Sequence, residues 1–480
     1  MGSSLPTPRE NEDRFEETGH PREWSEDYRP GGFHPIHLGD TFKDGQSRVI
    51  RKLGDGSFST VWLVVDNLNS RYLALKIMMS KYSSAADVEL EICRHLAEAA
   101  LSNPSQSKHI LMLLDHFEHI GPNGTHLCLV YQPIGGTVAS IVEKLPENRH
   151  IRAFKGETFR YPTWMANRIL KHVLTGVAFL HGNGIVHGDV QTGNFLFSAR
   201  DVDWLEEKEL AQSESHIIPP LQRHDKWAPK HLMLGQQLYN HAELGPDMSI
   251  KISDFGAAFR STSPPAKAVT PVALRAPELI FNEPFGLPID IWSFGCLIYE
   301  LLTVLQLFEV WMMGLETQEE ADDDHLLSLN DILEPLPDSW LEKWPRPHLH
   351  IGPSRERLPP PEEEDSEMDE VYGSGDEEND GQGGSDDDGL AVAGKGDRIG
   401  NSRASPEADN TVPYMDVDGP PPFVSESLEV LFDKNKPEDM FADEAGVVTS
   451  LMRQILRYDP SERPTAAQLL EHQWFREIGG

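Results

Sequence analysis

The 480-residue sequence has only three cysteines, Cys93, Cys128 and Cys296, which lie far apart without metal-ligand spacing. Such a sparse set excludes a disulfide scaffold and a zinc site. Long hydrophobic runs are lacking too, because the longest apolar stretch, Cys296 to Phe308, is short and contains Glu300. It cannot span a bilayer. The first residues lack the basic-then-apolar order of a signal peptide, so we expect an intracellular chain without a membrane partner.

Positive charge is scarce as well. The formal net charge is −36, and the segment from Glu362 to Asp388 contributes 14 acidic residues and no basic ones, which leaves about −22 over the rest. A surface of this kind repels the phosphates of nucleic acids and attracts basic polypeptides. We therefore expect no direct nucleic-acid partner.

The remaining composition divides the chain into regions of different character. Residues 1–37 are polar and rich in Glu, Arg and Pro, which predicts a flexible extension. From Arg48 onward, strand-like segments alternate with turn signals and lead into one helical segment at 87–102. A strand that stops at Pro133 and a glycine pair predicts a joint between two lobes, beyond which helical segments dominate. The composition of residues 345–425, which contain the acidic tract, predicts disorder.

Two early motifs carry candidate phosphate chemistry. The glycines of a Gly54-Asp55-Gly56 turn between strands let backbone N–H groups approach a triphosphate, although such a turn is more often an ordinary hairpin. Lys76 lies on a strand between apolar residues, either as a surface lysine or as a phosphate ligand. A carboxylate on the next helix would pair with it. We prefer Glu91 to Glu89 because Ile92 and Leu96 then share a packing face beside it.

Two later motifs place polar groups in loops next to strands. His187-Gly188-Asp189 is followed by Asn194, five residues after the aspartate, and then by an apolar strand. Another strand leads into Asp254-Phe255-Gly256. Singly, such residues are ordinary turn formers.

The order of these motifs resembles that of the protein kinases. It continues with Ala276-Pro277-Glu278, Asp290 and Arg463. We interpret these as structural: Glu278 and Arg463 as a buried pair, and Asp290 as a support beneath the catalytic loop.

The resemblance implies an α+β, bilobal protein-kinase fold. A small β-rich N-lobe with one main helix would span residues 38–134, and a larger helical C-lobe would span 135–480. Two inserts, 199–248 and the acidic 345–425, would interrupt the C-lobe.

More narrowly, the chain resembles the SR protein kinases, which phosphorylate Arg-Ser-rich splicing factors. The similar stretches include EDYRPGGFHPIHLGDTF, the FSTVW run at 58–62, HLCLVYQPIGG and DDDHLLSLNDILEPLP, and the insert at 199–248 stands where that family has its spacer. The similarity covers roughly 27–344 and 426–475. It implies a serine/threonine kinase that acts as a monomer in cytoplasm and nucleus, uses ATP and Mg²⁺, and modifies Arg-Ser-rich proteins of mRNA splicing.

Carried over by position, the resemblance also implies site residues. Asp189 would accept or orient the proton of the substrate hydroxyl, Lys76 and Glu91 would be its catalytic partners, and Asn194 and Asp254 would bind magnesium. Tyr131 would be the gatekeeper, with the backbone of Gln132 and Ile134 on the adenine edge and Val61 and Ala74 over the base. The complete nucleotide-binding set is Gly54, Asp55, Gly56, Ser57, Phe58, Ser59, Val61, Ala74, Lys76, Tyr131, Gln132 and Ile134.

Two positions depart from the family pattern. Gly188 replaces an arginine that balances a phosphorylated activation loop, so we expect activity without that phosphorylation. Gln191 replaces a lysine that contacts the γ-phosphate, a loss that typically costs on the order of 10²–10³ in rate. The alternative hypothesis is therefore a pseudokinase, a nucleotide-binding scaffold without significant transfer. The intact lysine, base and magnesium ligands favour an active enzyme.

Overall fold

The computed structural model describes residue 15 and residues 22–83, 87–148, 158–219, 226–310, 317–358 and 426–479. These residues belong to two compact units, one formed by 1–345 with 425–480 and the other by 346–424. The described part of the second unit has a short 3₁₀ turn at Pro347–Leu349 and an antiparallel bridge between Ile351 and Arg357. The predicted disorder of the acidic insert concerns mainly residues 359–425, which lie outside the described residues. The first unit carries the fold and the candidate site.

The N-lobe is built on a six-stranded antiparallel sheet with the strand order β1-β2-β3-β4-β6-β5. Its strands are β1 (Thr41–Phe42), β2 (Ser47–Asp55), β3 (Ser59–Asp66), β4 (Arg71–Met78), β5 (Asp115–Gly121) and β6 (Gly124–Tyr131). β3 reads STVWLVVD, and such β-branched and aromatic residues favour a pleated, half-buried surface. Lys76 on β4 lies opposite Val61 of β3 and Leu129 of β6, so it sits near the middle of the sheet.

Two helices, α1 (Ser80–Ser83) and α2 (Asp87–Ser102), connect β4 to β5. α2 is the one main helix of this lobe. Its buried face consists of Glu89, Ile92, Cys93 and Leu96, which repeat at the three- and four-residue spacing of one helical side. This face turns Glu89 toward the sheet.

The C-lobe is mostly helical and is organised around two long helices, α4 (Thr163–Gly182) and α7 (Pro288–Thr303). α7 is buried almost all round, which explains its nearly continuous apolar sequence. Outside the insert, the short elements between residues 134 and 260 are β7 (Ile134–Thr137), α3 (Val138–Ile141), β8 (Ile185–Val186), β9 (Phe195–Ser198), β12 (Ile250–Ile252) and β13 (Phe259–Arg260). The remaining helices are α6 (Pro277–Ile280), α8 (Gln318–Ile332), α9 (Asp338–Leu341), α10 (Leu428–Asn435), α11 (Ala442–Ile455), α12 (Ala466–Leu470) and α13 (Gln473–Glu477). Within the described ranges, no helix combines the length and apolar character that crossing a membrane requires.

Residues 22–37 pack against the N-lobe, so the prediction of a flexible extension is wrong for this part. The side chains of Tyr28, Phe33 and Ile36 are almost completely buried, and burial of apolar surface is the main stabilising contribution to folding. Glu23 forms a buried ion pair with Lys52 of β2. The remainder of the predicted extension, apart from the buried Phe15, lies outside the described residues.

The insert 199–248 enters the chain between the C-lobe strands β9 and β12, which pair with each other antiparallel. It contains α5 (Glu207–Leu210), β10 (Ile217–Ile218) and β11 (Leu232–Met233). Its contacts nevertheless reach the N-lobe sheet. Asp203 Oδ1 accepts a hydrogen bond from Tyr72 N at 2.8 Å, and Gln212 Oε1 accepts one from Lys52 N at 2.9 Å. The insert therefore links the C-lobe strands that flank it to the N-lobe sheet.

Candidate active site

A cavity of about 350 Å³ lies between the N-lobe sheet and the helical lobe, within the usual size range of small-molecule sites. Ten of the twelve predicted nucleotide-binding residues line it: Gly54, Asp55, Gly56, Ser59, Val61, Ala74, Lys76, Tyr131, Gln132 and Ile134. The two predicted magnesium ligands, Asn194 and Asp254, line it as well. The fold thus brings together residues that lie up to two hundred positions apart.

The other two predicted residues, Ser57 and Phe58, are not part of the cavity wall. They occupy the turn between β2 and β3. The ring of Phe58 is half exposed and packs edge-on against Tyr82, with ring centroids 4.5 Å apart. Its side chain therefore contacts another part of the N-lobe.

Lys76 joins two carboxylates at the wall of the cavity. Its Nζ lies 2.8 Å from Glu89 Oε1 and 2.8 Å from Asp254 Oδ1. Burial alone would lower the pKa of Lys76, but the negative charges of Glu89 and Asp254 outweigh burial and raise the pKa above the ordinary lysine value. The amine is therefore a permanent cation where an anionic triphosphate would meet it.

The choice of Glu91 as the partner of Lys76 is wrong. Glu91 is exposed and its Oε1 accepts a hydrogen bond from Arg260 Nη2 of β13 at 2.8 Å. Residues two apart on a helix point about 200° apart, so only one of the two glutamates can face the sheet. The buried positions Ile92 and Leu96 are in phase with Glu89, and adjacency in sequence to Ile92 was misleading.

Asp254 has an unusual backbone conformation. Its φ is 61°, in the left-handed region, which non-glycine residues adopt rarely and often at functional sites. The side chain is 52% exposed although Lys76 holds one of its oxygens. The charge of Lys76 lowers the pKa of Asp254 below the ordinary aspartate value. A carboxylate that stays ionised and accessible in a cavity suits a hard cation.

Both carboxylate oxygens of Asp189 accept hydrogen bonds from amides of its own loop. Gln191 Nε2 donates to Oδ1 at 2.7 Å, and Asn194 Nδ2 donates to Oδ2 at 2.8 Å. The two amides fix the orientation of the carboxylate. Because Asn194 uses its Nδ2 for this purpose, its Oδ1 remains as an oxygen donor for a metal ion.

Asp290 of α7 supports the predicted catalytic loop, residues 187–194, as the motif analysis predicted. The two oxygens of Asp290 accept hydrogen bonds from His187 N at 2.8 Å and from Gly188 N at 2.9 Å. Gly188 has φ 76°, and a Cβ at this position would lie 2.9 Å from the carbonyl oxygen of Ala257. Thr270 is buried and donates from Oγ1 to the Gly188 carbonyl at 2.7 Å. The segment that follows Asp254-Phe255-Gly256 is thus anchored to the loop by a hydrogen bond between neutral groups.

The buried pair of Glu278 and Arg463 is also confirmed. The guanidinium Nη1 and Nη2 donate to the two carboxylate oxygens at 2.6 and 2.8 Å. The ring of Trp292 lies beneath the guanidinium, 4.9 Å from its carbon to the ring centroid. This bidentate contact ties α6 to the C-terminal part of the lobe.

Nine further residues of the cavity wall were not predicted: Leu53, Leu111, Gly136, Thr137, Gly193, Leu196, Gln237, Ser253 and Phe255. Leu196 lies on β9, directly after the turn that contains Asn194. Gln237 carried no signal in the sequence. It belongs to the insert, and only the long-range path of the insert brings it to the cavity.

Comparisons with known proteins agree with this geometry. Residues 47–475 match the model of the protein kinase domain. The chain is 29% identical to the serine/threonine-protein kinase SRPK of Physarum polycephalum over 67% of this chain and 74% of that protein. It is 30% identical to the serine/threonine protein kinase AFUB_078980 of Aspergillus fumigatus over 66% of this chain and 72% of that protein. The crystal structure of the kinase domain of PF14_0431 matches with a TM-score of 0.54 at 19% identity, covering 92% of this chain and 98% of that one.

The fold is therefore that of a protein kinase, with a sheet-rich N-lobe and a helical C-lobe. The chain belongs to the protein kinase family, and within it to the serine/threonine kinases.

Proposed function

We propose that this kinase transfers the γ-phosphate of ATP, bound with Mg²⁺, to serine side chains of Arg-Ser-rich proteins. The observation that carries the proposal is the convergence of four groups at one cavity: Lys76, Asn194 and Asp254 line it, and Asp189, which is not part of its wall, is hydrogen-bonded to Asn194. Lys76 holds Asp254 at 2.8 Å, and Asn194 holds Asp189 at 2.8 Å. Ser253 N donates to the Asn194 carbonyl at 2.9 Å and so connects the two pairs.

Magnesium fits the donor set of this site. Asp254 and Asn194 offer oxygen ligands, whereas the described residues include no cluster of three or more His, Cys, Asp or Glu side chains that could hold a metal. A site of one or two protein oxygens completed by nucleotide phosphates is typical of Mg²⁺. When bound, the ion would neutralise charge on the phosphates.

The chain's own residues would do the rest. Lys76 would bind the phosphates, and Asp189 would receive the proton of the serine hydroxyl as its oxygen bonds to the γ-phosphorus. The bond from the γ-phosphorus to the bridging oxygen breaks, and ADP leaves with that electron pair. Gln191 and Asn194 keep the Asp189 carboxylate in one orientation throughout.

Charge supports a basic substrate. The net charge is −36, and α8 presents exposed carboxylates at Glu319 and Asp324. An arginine-rich segment would be attracted to such a surface, and the attraction would weaken with salt. The named similarity to an SRPK kinase points to the same substrate class.

A phosphate-transfer assay tests the proposal. The purified chain, ATP labelled at the γ-phosphate and Mg²⁺ are incubated with an Arg-Ser repeat peptide and with a Glu-Ser repeat of equal length. We expect label on serines of the Arg-Ser peptide only, located by mass spectrometry, and none with Asp189→Asn. Nucleotide binding without transfer to either peptide would instead identify a pseudokinase.

Gln191→Lys tests whether the missing lysine limits the rate. A cation at this position would counter negative charge that the neutral amide cannot. We expect kcat to rise, at most by the factor on the order of 10²–10³ that loss of such a group typically costs. An unchanged or lower kcat would show that the Gln191–Asp189 hydrogen bond already compensates.

A further inference from the structure

Among the described residues of the insert 199–248, Gln237 is the one that lines the nucleotide cavity. It belongs to a segment, residues 235–242, that connects the N-lobe to the C-lobe. We infer that Gln237 hydrogen-bonds a ribose hydroxyl of bound ATP and so makes the insert part of the nucleotide site. The inference rests on the proposed function in one respect, that ATP occupies this cavity.

The segment is fixed to the N-lobe at one end. Gln236 N donates to the Lys52 carbonyl of β2 at 2.9 Å. The backbone at Gly235 passes so close to the glycine-rich turn that a Cβ there would lie 3.1 Å from the Cα of Gly54. The side chain of Leu238 is 1% exposed and belongs to the N-lobe core. The residues on both sides of Gln237 therefore cannot shift freely.

The other end of the segment is fixed to the C-lobe. Ala242 bridges Ala199, the residue that follows β9. A Cβ on Gly135 of β7 would lie 2.5 Å from the Cβ of Ala242, so the two backbones are in direct contact. Held at both ends, Gln237 would lose little conformational entropy on binding a ligand.

The carboxamide oxygen of Gln237 accepts hydrogen bonds within the protein, whereas its NH₂ group is available to donate one to a ligand. Its Oε1 accepts hydrogen bonds from Thr137 N at 3.0 Å and from Ser140 Oγ at 3.1 Å. Because a backbone N–H can only donate, the carboxamide oxygen must face Thr137, and the NH₂ group must point elsewhere. No hydrogen-bond partner for Nε2 occurs within the described ranges. This donor belongs to a residue of the cavity wall.

The position of Gln237 selects the ribose over the other parts of ATP. In the proposed complex the base would lie at Gln132 and Ile134, at the joint between the two lobes, and the phosphates would lie by Lys76. Gln237 bonds to Thr137 N at the end of β7, which begins at Ile134, and its near neighbour Gly235 lies against Gly54 of the glycine-rich turn, so Gln237 stands between the places of the base and of the phosphates. The ribose joins base to phosphates, and its hydroxyl groups both donate and accept hydrogen bonds. A carboxamide donor at this edge matches a hydroxyl oxygen.

Nucleotide titrations test the inference. Calorimetry gives the Kd of ATP, 2′-deoxy-ATP and 3′-deoxy-ATP with Mg²⁺ for the full chain and for Gln237→Leu. We expect the wild type to bind at least one deoxy analogue about 3- to 10-fold more weakly than ATP, the usual contribution of one hydrogen bond. Gln237→Leu should bind ATP more weakly by the same factor and should no longer distinguish it from that analogue.

Two control variants separate ribose contact from a structural role. Gln236→Leu makes the same exchange at a neighbour whose Oε1 accepts from Ser213 N and which is outside the cavity wall. Ser140→Ala removes one hydrogen bond to Gln237 but keeps the carboxamide. Both should retain the wild-type preference for ATP over the analogue.

The outcomes are distinguishable. If the wild type binds ATP but Gln237→Leu keeps the full discrimination, or if the wild type does not discriminate, the inference is overturned and the proposed function stands. If the wild type binds no nucleotide, the proposed function itself fails. A melting curve for each variant establishes that it is folded.

Discussion

Two lysines of the N-lobe sheet each lie between two carboxylates, one of which, Asp254, belongs to the C-lobe. Lys52 on β2 contacts Glu23 and, at 2.9 Å, Asp55, and its side chain is fully buried. Lys76 on β4 contacts Glu89 and Asp254, and both Lys76, at 13% exposed, and Asp254, at 52%, reach the cavity.

The two clusters contain the same chemical groups but differ in whether a ligand can reach their lysine. The Lys52 cluster connects the N-terminal segment to the glycine-rich turn and has no room for a ligand at its lysine. The Lys76 cluster leaves a carboxylate and an amine facing the cavity in which we propose that ATP binds. The same types of charged residue therefore stabilise the fold in the Lys52 cluster and, in the proposed function, bind phosphate in the Lys76 cluster.

The largest expected effect is on stability, through Lys52→Met. This change leaves the buried carboxylates of Glu23 and Asp55 without their cation, and removal of one partner of a buried pair typically costs about 3–5 kcal/mol. We expect the free energy of unfolding, measured with urea, to fall by this amount. The kcat/KM of the folded protein should fall far less than in Lys76→Met, because Lys52 itself does not line the cavity. A loss of stability below about 1 kcal/mol would contradict the structural role.

The second effect is on catalysis, through Lys76→Met. Loss of a preorganised charged group at a phosphate typically costs on the order of 10²–10³ in rate. We expect a drop of this size in kcat/KM for the Arg-Ser peptide, with most of the protein still folded in a melting curve. If Lys52→Met lowered kcat/KM as strongly in fully folded protein, the contrast between the clusters would be wrong.

A smaller effect should separate the two glutamates of α2. Glu89→Gln replaces the charged partner of Lys76, and a hydrogen bond between charged groups is worth about 1.5–3 kcal/mol, or about 10- to 100-fold in kcat/KM. Glu91→Gln, the matched control on the same helix, weakens only an exposed pair with Arg260 and should cost no more than about 1 kcal/mol of stability. The reverse order of effects in the kinase assay would restore Glu91 as the partner.

The smallest expected effect is a difference in how the contributions of Asp55 and Asp254 to stability depend on pH. Burial raises the pKa of Asp55, whereas the charge of Lys76 lowers the pKa of Asp254. The contribution of Asp254 to stability is thus present above the unfolded pKa of about 3.9 and is lost as pH falls through its folded pKa. The contribution of Asp55 is present at low pH and is lost as pH rises through its raised pKa.

Urea unfolding of Asp254→Asn and Asp55→Asn at pH 7 and pH 4 tests this difference. Relative to wild type, Asp254→Asn should be less stable at pH 7 and Asp55→Asn more stable, and both differences should shrink at pH 4. Two differences of the same sign at pH 7 would contradict the assignment.

Much of the site was predictable from local sequence. The glycine-rich turn, Lys76, Asp189, Asn194 and Asp254 are separated along the chain, but each sits in a short motif whose backbone geometry depends on its neighbours. The strands and helices around these motifs could be predicted for the same reason.

Predictions failed where the answer depended on distant contacts or on helical phase. The burial of residues 22–37 requires the sheet that they cover, and their polar composition conceals it. The choice between Glu89 and Glu91 depends on which face of α2 meets the sheet, which periodicity over Glu89, Ile92, Cys93 and Leu96 would have shown.

The sequence alone therefore determined the family of the chain, the order of its catalytic groups and its acidic character, since these follow from short motifs and composition. Only the tertiary structure decided which of the two lysines is fully buried, which glutamate contacts Lys76 and that Gln237 of the insert reaches the cavity. These features depend on the close approach of segments that are far apart along the chain, and neither propensity nor spacing encodes such an approach.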